Sequence, residues 1–126
     1  MDVFYIDPTA KTPIYEQIRN EILGMVSRGE LKAGDKLPSI RTLSAEIGIN
    51  VNTVKKVFAL LEADGVITTV TGSGSYVAAG AHRNKQLLSR AEEELSLAAT
   101  RARNAGLSLD EAIRTLEKIY KEEKPT

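Results

Sequence analysis

A chain of 126 residues has room for one domain, or for a small domain with an extension, but not for a large catalytic or ligand-binding domain beside it. With no cysteine it can form no disulfide, thiolate metal site or cysteine nucleophile. Its 17 Lys and Arg balance 17 Asp and Glu, a net charge of +0, so affinity for nucleic acid would have to come from cations gathered on one face rather than from bulk charge.

The opening residues Met1-Asp2-Val3-Phe4-Tyr5-Ile6-Asp7 have no basic start and no long apolar run, unlike a signal peptide. No stretch approaches the roughly 18 apolar residues of a spanning helix. The expectation is a soluble, cytoplasmic protein with no membrane contact. Val3 to Ile6 reads as an edge strand or a clip onto the core. Thr12-Pro13 reads as a helix start, with Thr as cap and proline at the first helical position. Ile14, Ile18, Ile22, Met25 and Val26 then recur at helical spacing until Gly29. Leu31 to Leu37 is a connecting loop with a Gly-Asp turn.

Ser39 caps a short helix that turns Ile40, Leu43 and Ile47 inward, and Gly48 supplies its left-handed end. Asn50 caps the next helix, with Thr53 as a capping partner. Val54, Val57, Phe58 and Leu61 form its buried stripe, and Gly65 stops it. So short a linker suits a helix-turn-helix. Val66 to Val70 and Ser75 to Ala78 read as strands joined through Thr71-Gly72-Ser73-Gly74 into a hairpin.

Beyond the small-residue joint Ala79-Gly80-Ala81 the composition shifts. Leu88, Ala91, Leu95, Ala98 and Ala102 stripe one helix, which ends at Gly106. Ser108-Leu109-Asp110-Glu111 is a capping box, followed by Ile113, Leu116, Ile119 and Tyr120. Two such amphipathic helices cannot close a core alone, so they must pack on the first domain or on another subunit. The fold class is therefore mainly α with a small β-hairpin wing. A winged helix-turn-helix domain over residues 1–80 precedes a two-helix extension over residues 81–126.

In that arrangement the second helix offers base edges the side chains of Val51, Asn52, Thr53, Lys55 and Lys56. Asn pairs with adenine, Lys with guanine or phosphate, Thr with phosphate or a thymine methyl, and Val51 with a thymine methyl. Ser39 and Arg41 suit phosphate at the preceding helix start. Gly72 and Gly74 let the hairpin tip approach the DNA backbone. Plainer roles compete: Asn50 and Thr53 as caps alone, Lys55 and Lys56 as a solvated face, Arg41 paired with Glu46. His82 reads as a surface residue, and Tyr15, Phe58, Tyr76 and Tyr120 as core or interface. Residues 1–80 hold eight cations against nine anions. Arg41, Lys55 and Lys56 could cluster, with Lys32 and Lys36 as additions. No paired acids, nucleophile–base set or metal spacing appears, so the chain does not read as an enzyme, and no cofactor is expected.

Several landmarks resemble the GntR family of bacterial transcription regulators, and within it the small YtrA-type subfamily. They are Pro13-Ile14-Tyr15-Glu16-Gln17-Ile18, Gly34-Asp35-Lys36-Leu37-Pro38-Ser39-Ile40-Arg41, Asn50-Val51-Asn52-Thr53-Val54, Leu61-Glu62-Ala63-Asp64-Gly65 and Gly72-Ser73-Gly74-Ser75-Tyr76-Val77. The resemblance implies a homodimeric repressor of a pseudo-palindromic operator, acting on its own operon or a transporter operon. It places DNA contacts at Arg41, along Asn50 to Lys56 and at Gly74. Two positions depart from the pattern: Val51 stands where relatives often carry Pro or Arg, and Ser73 leaves the wing tip without a basic residue. The dimer interface would bury Leu88, Leu95, Leu109, Ile113, Leu116 and Ile119. A small-molecule effector of unknown identity would lie between the winged domain and the tail helices, or between subunits. The competing reading is a winged helix used to bind protein, which the neutral first domain favours slightly.

Overall fold

The computed structural model describes residues 5–122. Val3 and Phe4 of the expected edge strand lie outside these residues, and Tyr5 and Ile6 adopt no regular structure. The chain divides into two compact units, residues 1–84 and 85–126.

The first unit opens with helix α1, Ile14–Ser27. Its start differs from the expected Thr cap. Pro13 takes the flanking position with ψ 148°, and no side chain caps the helix. The preceding segment is held instead by Gln17. Its carboxamide accepts from the Asp7 amide at 2.8 Å and donates to the Asp7 and Thr12 carbonyls at 2.8 and 2.9 Å. A glutamine carboxamide can do this because it has two donor hydrogens and a separate acceptor oxygen, where a threonine hydroxyl has one donor hydrogen.

Helix α2, Ile40–Ile47, follows Ser39, whose hydroxyl accepts from the Thr42 amide at 3.0 Å. It ends at Gly48 with φ +69°. Helix α3, Val51–Ala63, starts after Asn50, whose carboxamide oxygen accepts from the Asn52 amide at 2.8 Å. Thr53 donates only its backbone amide to Asn50, so it is not the side-chain capping partner expected. The turn between the helices is pinned from within. The buried Ser44 hydroxyl donates to the Ile49 carbonyl, and the Ile49 amide returns a bond to Ser44 at 3.1 Å.

Helix α3 is the hub: α1 and α2 both pack on it. Ile18 and Ile22 of α1, Leu43 of α2, and Val54, Val57 and Leu61 of α3 are essentially removed from solvent. Each such side chain stabilises the fold by about 1.5–3 kcal/mol relative to exposure. Ile14, Ile40 and Ile47 are only half-buried. A part-buried ion pair joins α1 to the residue that ends α3, Arg19 Nη2 donating to Asp64 Oδ2 at 2.5 Å.

Strands β1, Ile67–Val70, and β2, Gly74–Val77, form the antiparallel hairpin, with Ile67 opposite Val77 and Val70 opposite Gly74. A two-stranded ribbon is marginal alone, and here its outer edge is covered. Residues 34–37, expected as plain loop, run antiparallel along β2. Gly34 and Leu37 donate to Val77 and Ser75, and Val77 donates to Asp35, at 2.8 to 2.9 Å. A short 3-10 turn, Ala81–Arg83, tucks Ala81 into the same core.

The second unit contains helix α4, Lys85–Asn104, and helix α5, Leu109–Lys121. Gly106, with φ +103°, turns the chain between them. Ser108 caps α5 by accepting from the Glu111 amide at 3.2 Å. Neither helix has a buried residue.

Candidate nucleic-acid interface

The helix-turn-helix geometry sets the start of α3 outward. Because Val54, Val57, Phe58 and Leu61 bind one face of α3 to the core, the opposite face must be solvated. Val51, Asn52, Lys55 and Lys56 occupy it, all exposed. Positions three and four apart on a helix are neighbours, so Asn52 lies beside Lys55 and Lys56, and Val51 beside Lys55. Thr53 is half-buried on the flank.

These side chains are not equally available. Asn50 spends its carboxamide oxygen on the cap. The Lys56 ammonium sits 3.9 Å from the centre of the Tyr15 ring on α1, a cation–π contact worth about 0.5–1 kcal/mol at exposed sites. Lys55 and Arg41 pair with no carboxylate among the described residues, which disposes of the Arg41–Glu46 pairing.

A second group of site residues gathers in an open groove of about 1220 Å³ between the start of α2 and the hairpin. Ser39 and Arg41 line it from one side, Gly72 and Gly74 from the other. Asn50 to Lys56 do not line this groove. The proposed contacts thus form two patches of the first unit: a helix face suited to base edges, and a groove with a cation and a helix start suited to phosphate.

The two wing glycines differ. Gly72, with φ +79°, has open space where a side chain would stand; Gly74, with φ +137°, does not, since Lys36 lies over it. Of the aromatics, Phe58 is buried, Tyr15 and Tyr76 are half-buried, and Tyr120 is exposed. The Tyr76 hydroxyl bonds to that of Ser73 at the hairpin tip. His82 is exposed.

Sequence reasoning missed the Tyr15–Lys56 contact and the seat of Lys36 on the wing. Both join residues distant in the chain, and neither leaves a periodic signal. Among the described residues no group of His, Cys, Asp or Glu is placed to hold a metal ion. None of their helices is long and apolar enough to cross a membrane.

Comparison with known proteins agrees with this geometry. Residues 14–77 match the family of bacterial regulatory proteins, gntR family. The HTH-type transcriptional repressor YtrA of Bacillus subtilis is 36% identical over 116 residues, covering 90% of this chain and 89% of that protein. The crystal structure of a transcriptional antiterminator from Listeria monocytogenes EGD-e superposes with a TM-score of 0.83 at 32% identity, covering 96% of this chain and 91% of that one. The DNA-binding domain of AraR, in complex with an operator, superposes with a TM-score of 0.54 at 26% identity, over 62% of this chain and 96% of that one. These relatives are regulators of transcription rather than enzymes. The chain is a member of the GntR family, a winged helix-turn-helix DNA-binding transcriptional regulator of the YtrA type.

Proposed function

We propose that this protein is a dimeric repressor of a pseudo-palindromic operator, in which the first unit, expected over residues 1–80 and here extending to residue 84, holds the DNA and the second unit joins two copies. The observation that carries the reading is the exposed start of α3. Val51, Asn52 and Lys55 stand on the solvated face of a helix whose other face is fixed in the core. In this reading Asn52, Lys55 and Val51 meet base edges, Asn50 sets the helix end, and Thr53 and Lys56 take phosphates beside it. Ser39 and Arg41 bind the backbone from α2, and the hairpin approaches it at Gly72 and Gly74. The AraR complex supports the DNA partner, since its domain shares this fold.

The dimer is supported by the second unit. Leu88, Leu95, Leu109, Ile113, Leu116 and Ile119 are all exposed there, Leu109 at 76% and Ile119 at 58%. A two-fold dimer would present two recognition helices about one DNA turn, or a multiple, apart. The target would be the protein's own operon or a transporter operon, read in the cytoplasm, with a small-molecule effector of unknown identity acting on the dimer.

The test is fluorescence anisotropy with DNA from upstream of the protein's own gene, against a scrambled duplex at about 0.15 M salt, where specific and non-specific binding separate. Selective binding is expected, and Arg41→Ala should weaken it and lower its salt dependence by about 1.8 in log–log slope, about 0.9 for each protomer. Failure of the wild type to bind any duplex at low salt would replace this reading with a protein-binding winged helix.

A further inference from the structure

The wing groove holds one cation that the reading above leaves without a role. Lys36 lies opposite Tyr76 in an antiparallel bridge, and the adjacent Leu37 amide donates to the Ser75 carbonyl at 2.8 Å. These backbone pairs fix where the Lys36 stem begins. The stem then runs across Gly74, where an added Cβ would lie 2.9 Å from Lys36 Cε and 3.8 Å from Nζ. The missing side chain at Gly74 is therefore the channel through which the stem passes, and it delivers the ammonium into the groove that Ser39 and Arg41 also line.

Neither carboxylate of the groove pairs with that ammonium. Two carboxylates share the lining, and both are otherwise engaged. Glu30 pairs with Arg28 at 2.6 Å, and Asp35 accepts from the Lys32 amide at 2.8 Å. Lys36 makes no ion pair among the described residues. A lysine on a compact strand segment, lining one groove with the unpaired Arg41, has the chemistry of a phosphate ligand: a point charge that needs no base-edge geometry.

We infer that Lys36, positioned by Gly74, is the wing's phosphate contact, an inference that rests on the DNA reading proposed above. It supplies from the neighbouring strand the cation that Ser73 does not supply at the hairpin tip. It also gives Gly74 a second purpose, to leave room for a lysine stem rather than only to let the backbone approach DNA.

The experiment uses the full chain and a scrambled duplex, because a phosphate contact is blind to sequence. Lys36→Met keeps the stem over Gly74 and removes the charge. Its log–log salt slope should fall by about 1.8, about 0.9 for each protomer of the dimer, and its Kd at 0.15 M salt should rise roughly thirtyfold. Lys36→Arg should restore both. Gly74→Ala should weaken binding less in the Lys36→Met background than in the wild type, since part of its loss is then the contact already removed. A thermal melt confirms that the hairpin still folds in each variant. If the wild type binds and Lys36→Met keeps its slope and Kd, Lys36 touches no phosphate and the inference falls. An equal further loss for Gly74→Ala in the Lys36→Met background removes Gly74 as its positioning residue. If the wild type binds no duplex at low salt, the DNA reading itself has failed.

Discussion

Single residues were legible where their partners are close in the chain. Ser39, Asn50 and Ser108 cap helices by accepting from amides two or three positions on, and Gly48 ends α2 in the left-handed region. Gly48→Ala tests this by strain alone, for nothing lies within 4 Å of the added Cβ. It should cost about 1–2 kcal/mol in urea denaturation, and an unchanged midpoint would show that the turn adapts freely. The Arg19–Asp64 pair, 45 positions apart, left no trace in the sequence. Asp64 also donates its amide to Leu60 at 3.0 Å and accepts on its carbonyl from Asn84 at 2.9 Å. Asp64→Ala should destabilise by about 1.5–3 kcal/mol, the range for hydrogen bonds to charged groups. The lower part applies because Arg19 stays 24% exposed. A change within 0.5 kcal/mol would mean that water replaces the pair at no cost.

At the scale of elements, apolar periodicity located the five α-helices of the described residues, because each buries a stripe or carries one unburied. The start of α1 was misread because Pro13 rather than Thr12 takes the flanking position and no side chain caps the helix, while Gln17 from within it holds the segment before it. The covered edge of the wing was also illegible, since residues 34–37 have the Gly-Asp composition of a turn and become strand-like only through β2. That pairing predicts slow amide exchange. The Leu37 and Gly34 amides should be protected to the same degree as those of the hairpin, as expected of one cooperative unit. Free exchange at Leu37 with a protected Val77 would show that the segment opens independently. Of the candidate interface, the outward face of α3 was readable from its core-facing stripe. The seats of Lys56 and Lys36 were not, because each depends on a residue from another element.

For the whole molecule, the two units differ in kind. The first closes a core of its own; the second carries Leu95, Leu116 and their neighbours in water. If another copy covers that face, Leu116→Asp should give monomers in sedimentation and much weaker operator binding, while the first unit keeps its core. A dimer of unaltered strength would assign the interface elsewhere. A surface buried only by a second identical chain also makes abundance an input. Well below the dimerisation constant, dimers scale with the square of total protein. Doubling the total protein would then quadruple the species able to span both half-sites. A repressor that acts on its own operon through such a pair would damp fluctuations in its copy number more steeply than a monomer could.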